Sequence, residues 1–244
     1  MKNSFILHIL FAFIFSQVSA QVFIEQGAGG TTRDGALIVY GMNGASSKIP
    51  YEKIKGSPFF ISQWRKASLF DLNGKSVGKY DVKLNLVTHE LHFLDKNGVE
   101  LAANDGIASK VLFEDSIHVN RSPVVFNNSY EPISIQYNNN RKYAEEMNAG
   151  EYCLLKVQIR TAIEADSLFA TRKKYYFTDR YDYFLRINKK VEKLKKLQKQ
   201  YILPFLPNSD KLEKWAKDNG LQLSREEDVI RLLDHCNQLS STSG

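Results

Sequence analysis

Cysteine is nearly absent from this chain. Two residues, Cys153 and Cys236, among 244 exclude a disulfide-dense scaffold. Neither lies in a Cys-x-x-Cys pattern, which removes the common redox and zinc-ribbon arrangements. Long apolar runs are missing too. After residue 20 no stretch approaches the roughly 20 residues that a membrane-spanning helix needs.

Catalytic signatures are also lacking. There is no Gly-x-Ser-x-Gly elbow. The glycine-rich stretch Ala28-Gly29-Gly30-Thr31-Thr32 lacks the Gly-Lys-Ser/Thr ending that would set a lysine on phosphate. His89-Glu90-Leu91-His92 resembles part of a zinc-protease motif, but that motif needs two histidines on one helical face. Here the segment is expected as a strand, whose alternation sends His89 and His92 to opposite faces with no third ligand in sight. The scattered acids single out no catalytic pair. No catalytic residue, metal or cofactor is therefore nominated, although a triad assembled from distant segments stays compatible with the sequence.

What is present begins at the N-terminus. Lys2, an apolar run from Phe5 to Phe15, and the small-residue site Val18-Ser19-Ala20 read as an export signal, residues 1–20. The exported chain would start at Gln21, which is not the cysteine that a lipoprotein anchor requires. Residues 21–36 read as a flexible lead-in. Hydrophobic residues at 43% and charged residues at 25% fit an ordinary globular domain.

From 37 to 186 the apolar period is mostly two, with tight-turn dipeptides at Asn73-Gly74 and Asn97-Gly98. Candidate strands include Lys66–Asp71, Val82–Val87, Thr88–Leu94, Lys110–Phe113, Ser116–Val119, Ile133–Tyr137, Glu151–Ile163 and Tyr181–Arg186. This pattern predicts an antiparallel meander, closed as a barrel or folded as a sandwich. From 187 to 240 the period changes. Val191, Leu194, Leu197 and Tyr201 predict an amphipathic helix from about Asn188 to Tyr201. A second helix is expected from Ser209 to Asn219, before Gly220. Ser224-Arg225-Glu226-Glu227 reads as a capping box for a third, and 241–244 form a tail. The fold class is thus α+β: a β body followed by about three helices.

Four groups of residues are candidates for binding or modification. Arg186, Lys189, Lys190, Lys193 and Lys196 crowd one segment of a chain with formal net charge +6, suiting an acidic envelope protein, anionic lipid or lipopolysaccharide better than nucleic acid in an exported protein. A solvated helix face is the plainer reading. Tyr175, Tyr181 and Tyr183 interleave with cations and suit stacking on a ligand, or else supply a core face. Trp64 reads as a packing anchor. Cys153 and Cys236 both fall on apolar stripes; the oxidising compartment permits their disulfide, and two buried free thiols are the other reading. Ser116 and Ser167 lie in Asp-Ser-apolar triplets of the kind used for O-glycosylation in exported Bacteroidota proteins.

Gly56-Ser57-Pro58-Phe59 with Trp64, Val82–Leu86, Glu90-Leu91-His92-Phe93, Gly98-Val99-Glu100-Leu101 and the ending Leu223–Asn237 together resemble a group of exported Bacteroidota proteins, over roughly residues 37–240. The resemblance implies a secreted or periplasmic β-rich domain with a helical tail. It carries over no reaction and no catalytic residues. The resulting expectation is a non-enzymatic periplasmic or outer-membrane-associated accessory protein. The alternatives are a lipid or glycan carrier with a β cavity, and a hydrolase with a dispersed site.

Overall fold

The computed structural model describes residues 36–40, 46–103, 106–114, 123–164 and 174–242. The expected export signal, nearly all of the lead-in, the strand at 116–119, and both Ser116 and Ser167 lie outside them.

Strands β1 (Ala36–Tyr40) and β2 (Ser46–Pro50) pair with each other as an antiparallel ribbon. The remaining strands belong to one 11-stranded sheet. In chain order they begin with β3 (Ile54–Lys55), β4 (Arg65–Phe70), β5 (Ser76–Leu84), β6 (Leu91–Leu94) and β7 (Glu100–Ala102). Then come β8 (Lys110–Phe113), β9 (Val125–Asn127) and a short helix α1 (Glu131–Gln136). The body closes with β10 (Ala144–Glu146), β11 (Tyr152–Glu164), β12 (Tyr175–Ile187) and β13 (Lys190–Leu194). Three helices follow: α2 (Lys199–Ile202), α3 (Ser209–Asp218) and α4 (Glu226–Thr242).

The sheet runs β13-β12-β11-β10-β9-β8-β4-β5-β6-β7, with β3 beside β12 as the one parallel pair among the described residues. Its path does not return on itself. The sheet is open and is not the closed barrel that was one of the expectations. The segment 54–60 bridges distant strands: Ile54 and Lys55 pair with β12, while Phe60 N–H donates to the Leu84 carbonyl and Leu86 N–H to the Pro58 carbonyl. Arg160 clamps this segment. Its guanidinium donates to the Ser57 and Phe59 carbonyls, each at 2.7 Å, and is bidentate to Asp179.

Two of the turns have the chemistry their sequences predict. In Asp71-Leu72-Asn73-Gly74-Lys75 the Asp71 carboxylate accepts the Asn73 and Lys75 N–H groups, and Gly74 takes φ 77°. Asp95-Lys96-Asn97-Gly98-Val99 repeats the arrangement, again with a glycine at φ 77°. Asparagine and aspartate bend the chain through side-chain-to-backbone bonds, and glycine supplies the left-handed backbone.

Three apolar clusters hold the body. Residues of β4, β5, β6, β8 and β9 form one, including Val82, Leu84, Phe113 and Phe126. Leu154 and Leu185 meet α2, α3 and α4 in another, through Ile202, Leu212, Val229, Leu232 and Leu233. On the opposite face of the β11–β12 hairpin, Cys153, Leu155, Val157 and Phe184 meet Ile133 of α1 and Val191 of β13.

Two expected elements change type. Ile133–Tyr137 alternates like a strand yet is helical from Glu131. Pro132 sits in the first turn, where its missing N–H costs nothing, and only Ile133 of that helix is buried while Ile135 is exposed. The helix expected over 188–201 is instead a hairpin return. Asn188 takes φ 54° in a two-residue turn, and β13 pairs antiparallel with β12. The three-residue spacing of Val191 and Leu194 misled because each apolar residue serves a different face of the strand: Val191 joins the α1 side and Leu194 the α4 side. The β body therefore extends to Leu194, beyond the boundary expected at 187.

The same alternation separates the cysteines. Cys153 lies in the α1-side cluster and Cys236 of α4 in the other, so the β11–β12 sheet stands between them. Both are buried and free, and the 153–236 disulfide is absent.

Candidate functional site

β12 and β13 separate at one end of their hairpin, and a cleft opens there. Tyr183 is registered opposite Leu194, the last paired residue of β13. One and two steps further, the same register would have set Lys195 opposite Asp182 and Lys196 opposite Tyr181. Instead the chain peels off, and buried Leu197 turns into the helical cluster. The gap is a half-open cleft of about 550 Å³ lined by Tyr181, Asp182, Tyr183, Lys193, Leu194, Lys195, Lys196, Leu197 and Ser224.

Two groups of candidates, marked separately in the sequence, meet in this cleft: Tyr181 and Tyr183 of the stacking set, Lys193 and Lys196 of the basic set. The others do not. Tyr175 lies six residues before Tyr181 in the same strand, about 20 Å away, next to Ile54. Arg186 is on the Cys153 side, half-buried, donating to the Gly150 and Asn188 carbonyls. Lys189 is in the turn, and Lys190 pairs with Glu192 at 2.7 Å. Pleating sends Lys190 and Lys193 to opposite faces of β13, so the basic residues do not share one face.

Behind the cleft lies a polar seam that sequence reasoning missed. A cross-strand row runs Phe126, Glu145, Lys156, Tyr183, Leu194, apolar at its ends and charged in the middle. Glu226, in the first turn of α4, closes over it. Lys156 Nζ lies 2.7 Å from Glu226 Oε1 and 4.4 Å from the centre of the Tyr181 ring. The Tyr183 hydroxyl donates to the same carboxylate at 2.5 Å. Burial first, then the bond to Glu226 and its charge, keeps the Tyr183 hydroxyl protonated well above the ordinary tyrosine range. The one available signal was Lys156 itself, a cation inside the apolar run Cys153–Val157.

The lysines on the other lip have no such partners. Among the described residues, no carboxylate lies within ion-pair distance of Lys193, Lys195 or Lys196; Lys195 lies 5.9 Å from the centre of the Tyr201 ring. Asp182 is already engaged, accepting from Tyr137 at 2.5 Å and pairing with Arg180 at 3.2 Å. The cleft thus presents uncompensated positive charge beside Tyr181, which is 43% exposed.

The histidines fall elsewhere. His89 is buried in a turn at φ 61° and accepts the Tyr143 N–H at Nδ1. Burial, then the Lys142 charge, holds its pKa down at about 3, against the opposing hydrogen bond to the Gln158 backbone. His92 bonds Glu100 at 2.7 Å beside the edge of the Phe59 ring. That histidine–acid pair would supply a base, yet it does not line the cleft. Trp64 is half-buried under the Lys83 ammonium. Among the described residues, no group of three or more histidine, cysteine or acidic side chains is placed to hold a metal.

The fold and cleft define a class: an open, mainly antiparallel sheet carrying a C-terminal helical layer, with an aromatic and cationic cleft at a sheet edge. Compared with known protein families, curated proteins and solved structures, the chain matches none.

Proposed function

We propose that this protein is a non-catalytic binding protein of the exported compartment, an accessory of the periplasm or outer membrane that holds an acidic partner or anionic surface at the β12–β13 cleft. The supporting observation is the set Lys193, Lys195 and Lys196, which lines the cleft and has no carboxylate within ion-pair distance among the described residues. Uncompensated charge gathered at a concave site raises the local concentration of anions and speeds their association. The export signal and the resemblance over residues 37–240 support the compartment.

The test is association with the cell envelope at low and high salt. The Lys193→Glu/Lys196→Glu protein should lose association that the wild type shows at low salt and loses at high salt. Equal association of the two proteins would overturn the proposal.

A further inference from the structure

We infer that the occupant of the cleft is an acidic segment of a partner protein, which enters in extended conformation and pairs backbone to backbone with the middle of β12; this rests on the binding reading above and names how the partner is held. β12 has 13 residues, and on its side away from β11 its neighbours cover only the two ends. β3 lies along Tyr175 and Tyr176, and β13 along Tyr183 to Ile187. Between them, over residues 177–182, none of the described strands lies on that side.

The register fixes which backbone groups point there. Asn188 N–H donates to the Glu151 carbonyl, so the even-numbered residues of β12 turn their N–H and C=O groups toward β11 and the odd-numbered ones turn theirs outward. β13 lies along the outward groups of Tyr183, Leu185 and Ile187. Those of Asp179 and Tyr181 have no backbone partner among the described residues. They are two donors and two acceptors in the spacing that an added strand satisfies. The site is the edge itself, in the plane of the sheet. Tyr181 and Lys193 project from opposite faces, and the cleft of about 550 Å³ borders both because it opens at the edge.

Charge selects the occupant. Lys195 and Lys196 stand where β13 leaves the sheet, and Lys55 stands at the β3 end. Among the described residues none of the three has a carboxylate within ion-pair distance. The acids of the strand are engaged elsewhere: Asp179 by Arg160, Asp182 by Tyr137 and Arg180. A second copy of this chain, pairing through the same edge, would set these lysines against their counterparts. A lipid surface supplies negative charge but no backbone donors. An extended acidic peptide of about five residues, roughly 17 Å long, supplies both.

The test is a titration of the full chain with a short capped peptide alternating glutamate and valine, followed by calorimetry and by amide hydrogen exchange. In the free protein the Asp179 and Tyr181 amides should exchange fast, while those of Arg180 and Asp182, turned toward β11, exchange slowly. Saturating peptide should slow the first pair at least about tenfold. High salt and Lys195→Glu/Lys196→Glu should each weaken binding about tenfold, with the variant's melting temperature unchanged. Tyr181→Ala, which keeps the N–H, should bind as the wild type does. Tyr181→Pro, which removes that N–H at an edge position, should not bind. The peptide N-methylated along its length should lose binding in the same way, with the protein unaltered. The inference is overturned by absence of saturable binding, by equal binding of a lysine–valine peptide, or by slow Asp179 and Tyr181 amides in the free protein.

The remaining outcomes separate this inference from the reading beneath it. Peptide binding that leaves both amides fast overturns strand addition and leaves the binding protein standing. Protection of both amides by the peptide, together with unchanged envelope association of Lys193→Glu/Lys196→Glu, supports strand addition and overturns the envelope role. Protection that rises with protein concentration alone, with a dimer in sedimentation, overturns the peptide in favour of a second copy. Lysine-dependent binding to phosphatidylglycerol vesicles without peptide binding overturns it in favour of a lipid surface.

Discussion

Lys156, in the middle of β11, reaches Glu226, in the first turn of α4, at 2.7 Å. Both side chains are largely withdrawn from solvent, 15% and 21% exposed. The pair fastens the helical layer to the sheet and backs the Tyr181 wall of the cleft.

Lys156→Met should lower the unfolding free energy by about 1–2 kcal/mol, less than a fully buried pair would lose because water still reaches both groups. Glu226→Gln should cost less, since an amide oxygen still accepts the Tyr183 hydroxyl. In a double-mutant cycle measured by urea unfolding, the two changes should couple by about 1 kcal/mol. Additive effects would mean that the pair contributes nothing of its own.

Acid stability should report His89. Its folded-state pKa of about 3 lies below the 6.5 of the free side chain. The unfolded chain therefore binds a proton that the folded chain refuses. The stabilisation is full above pH 6.5 and falls by about 1.4 kcal/mol per unit as the pH drops toward 3. His89→Asn, which tolerates the left-handed backbone, should remove that share of the acid slope. Urea midpoints measured across this range for both proteins make the comparison, and identical slopes would assign the acid sensitivity elsewhere.

Gly150 and Asn237 should behave as one unit. Gly150 takes φ 100°, and a β-carbon there would lie 2.5 Å from Asn237 Cγ. That asparagine accepts the Tyr152 N–H and donates to the Ala149 and Tyr152 carbonyls, each at 2.9 Å. Gly150→Ala should cost about 2–3 kcal/mol through clash and backbone strain, and Asn237→Ala about 1–2 kcal/mol through lost hydrogen bonds. The double variant should lose less than the sum, because the second change removes the clash. Thermal melts of the three proteins test this, and strict additivity would refute it.

The two thiols should stay unreactive in the folded protein. Burial pushes Cys236 up to about 11 and raises Cys153 as well, and thiolate is the reactive form. Alkylation should proceed only in denaturant, and oxidised and reduced samples should melt together. A 153–236 crosslink detected by mass spectrometry in the native protein would contradict the opposite-face arrangement.

Local chemistry was readable in the sequence and pairing was not. The Asp71–Lys75 and Asp95–Val99 turns, Lys110–Phe113 and the helix beginning at Ser209 depend on neighbours in the chain. The return at Asn188-Lys189 lacks the glycine that usually announces a two-residue turn, so Val191 and Leu194 read as one helical stripe when they serve two faces. At the cleft, Tyr181, Tyr183, Lys193 and Lys196 were each marked, but their meeting follows from the register of Tyr183 on Leu194. Lys156 and Glu226 were missed because they are brought together by the packing of α4 on the sheet.

The two lips of the cleft come from consecutive strands joined by a turn of two residues. Their sequence separation is short, so closing this part of the chain carries little loop entropy. The β12–β13 hairpin is thus suited to form early in folding, with Tyr181 and Lys196 near one another before the distant Ser224 and Glu226 arrive. Insertions in the remote loops of β4 to β9 would lengthen the chain without altering the spacing of these lips, and the cleft is correspondingly insulated from variation across the rest of the sheet.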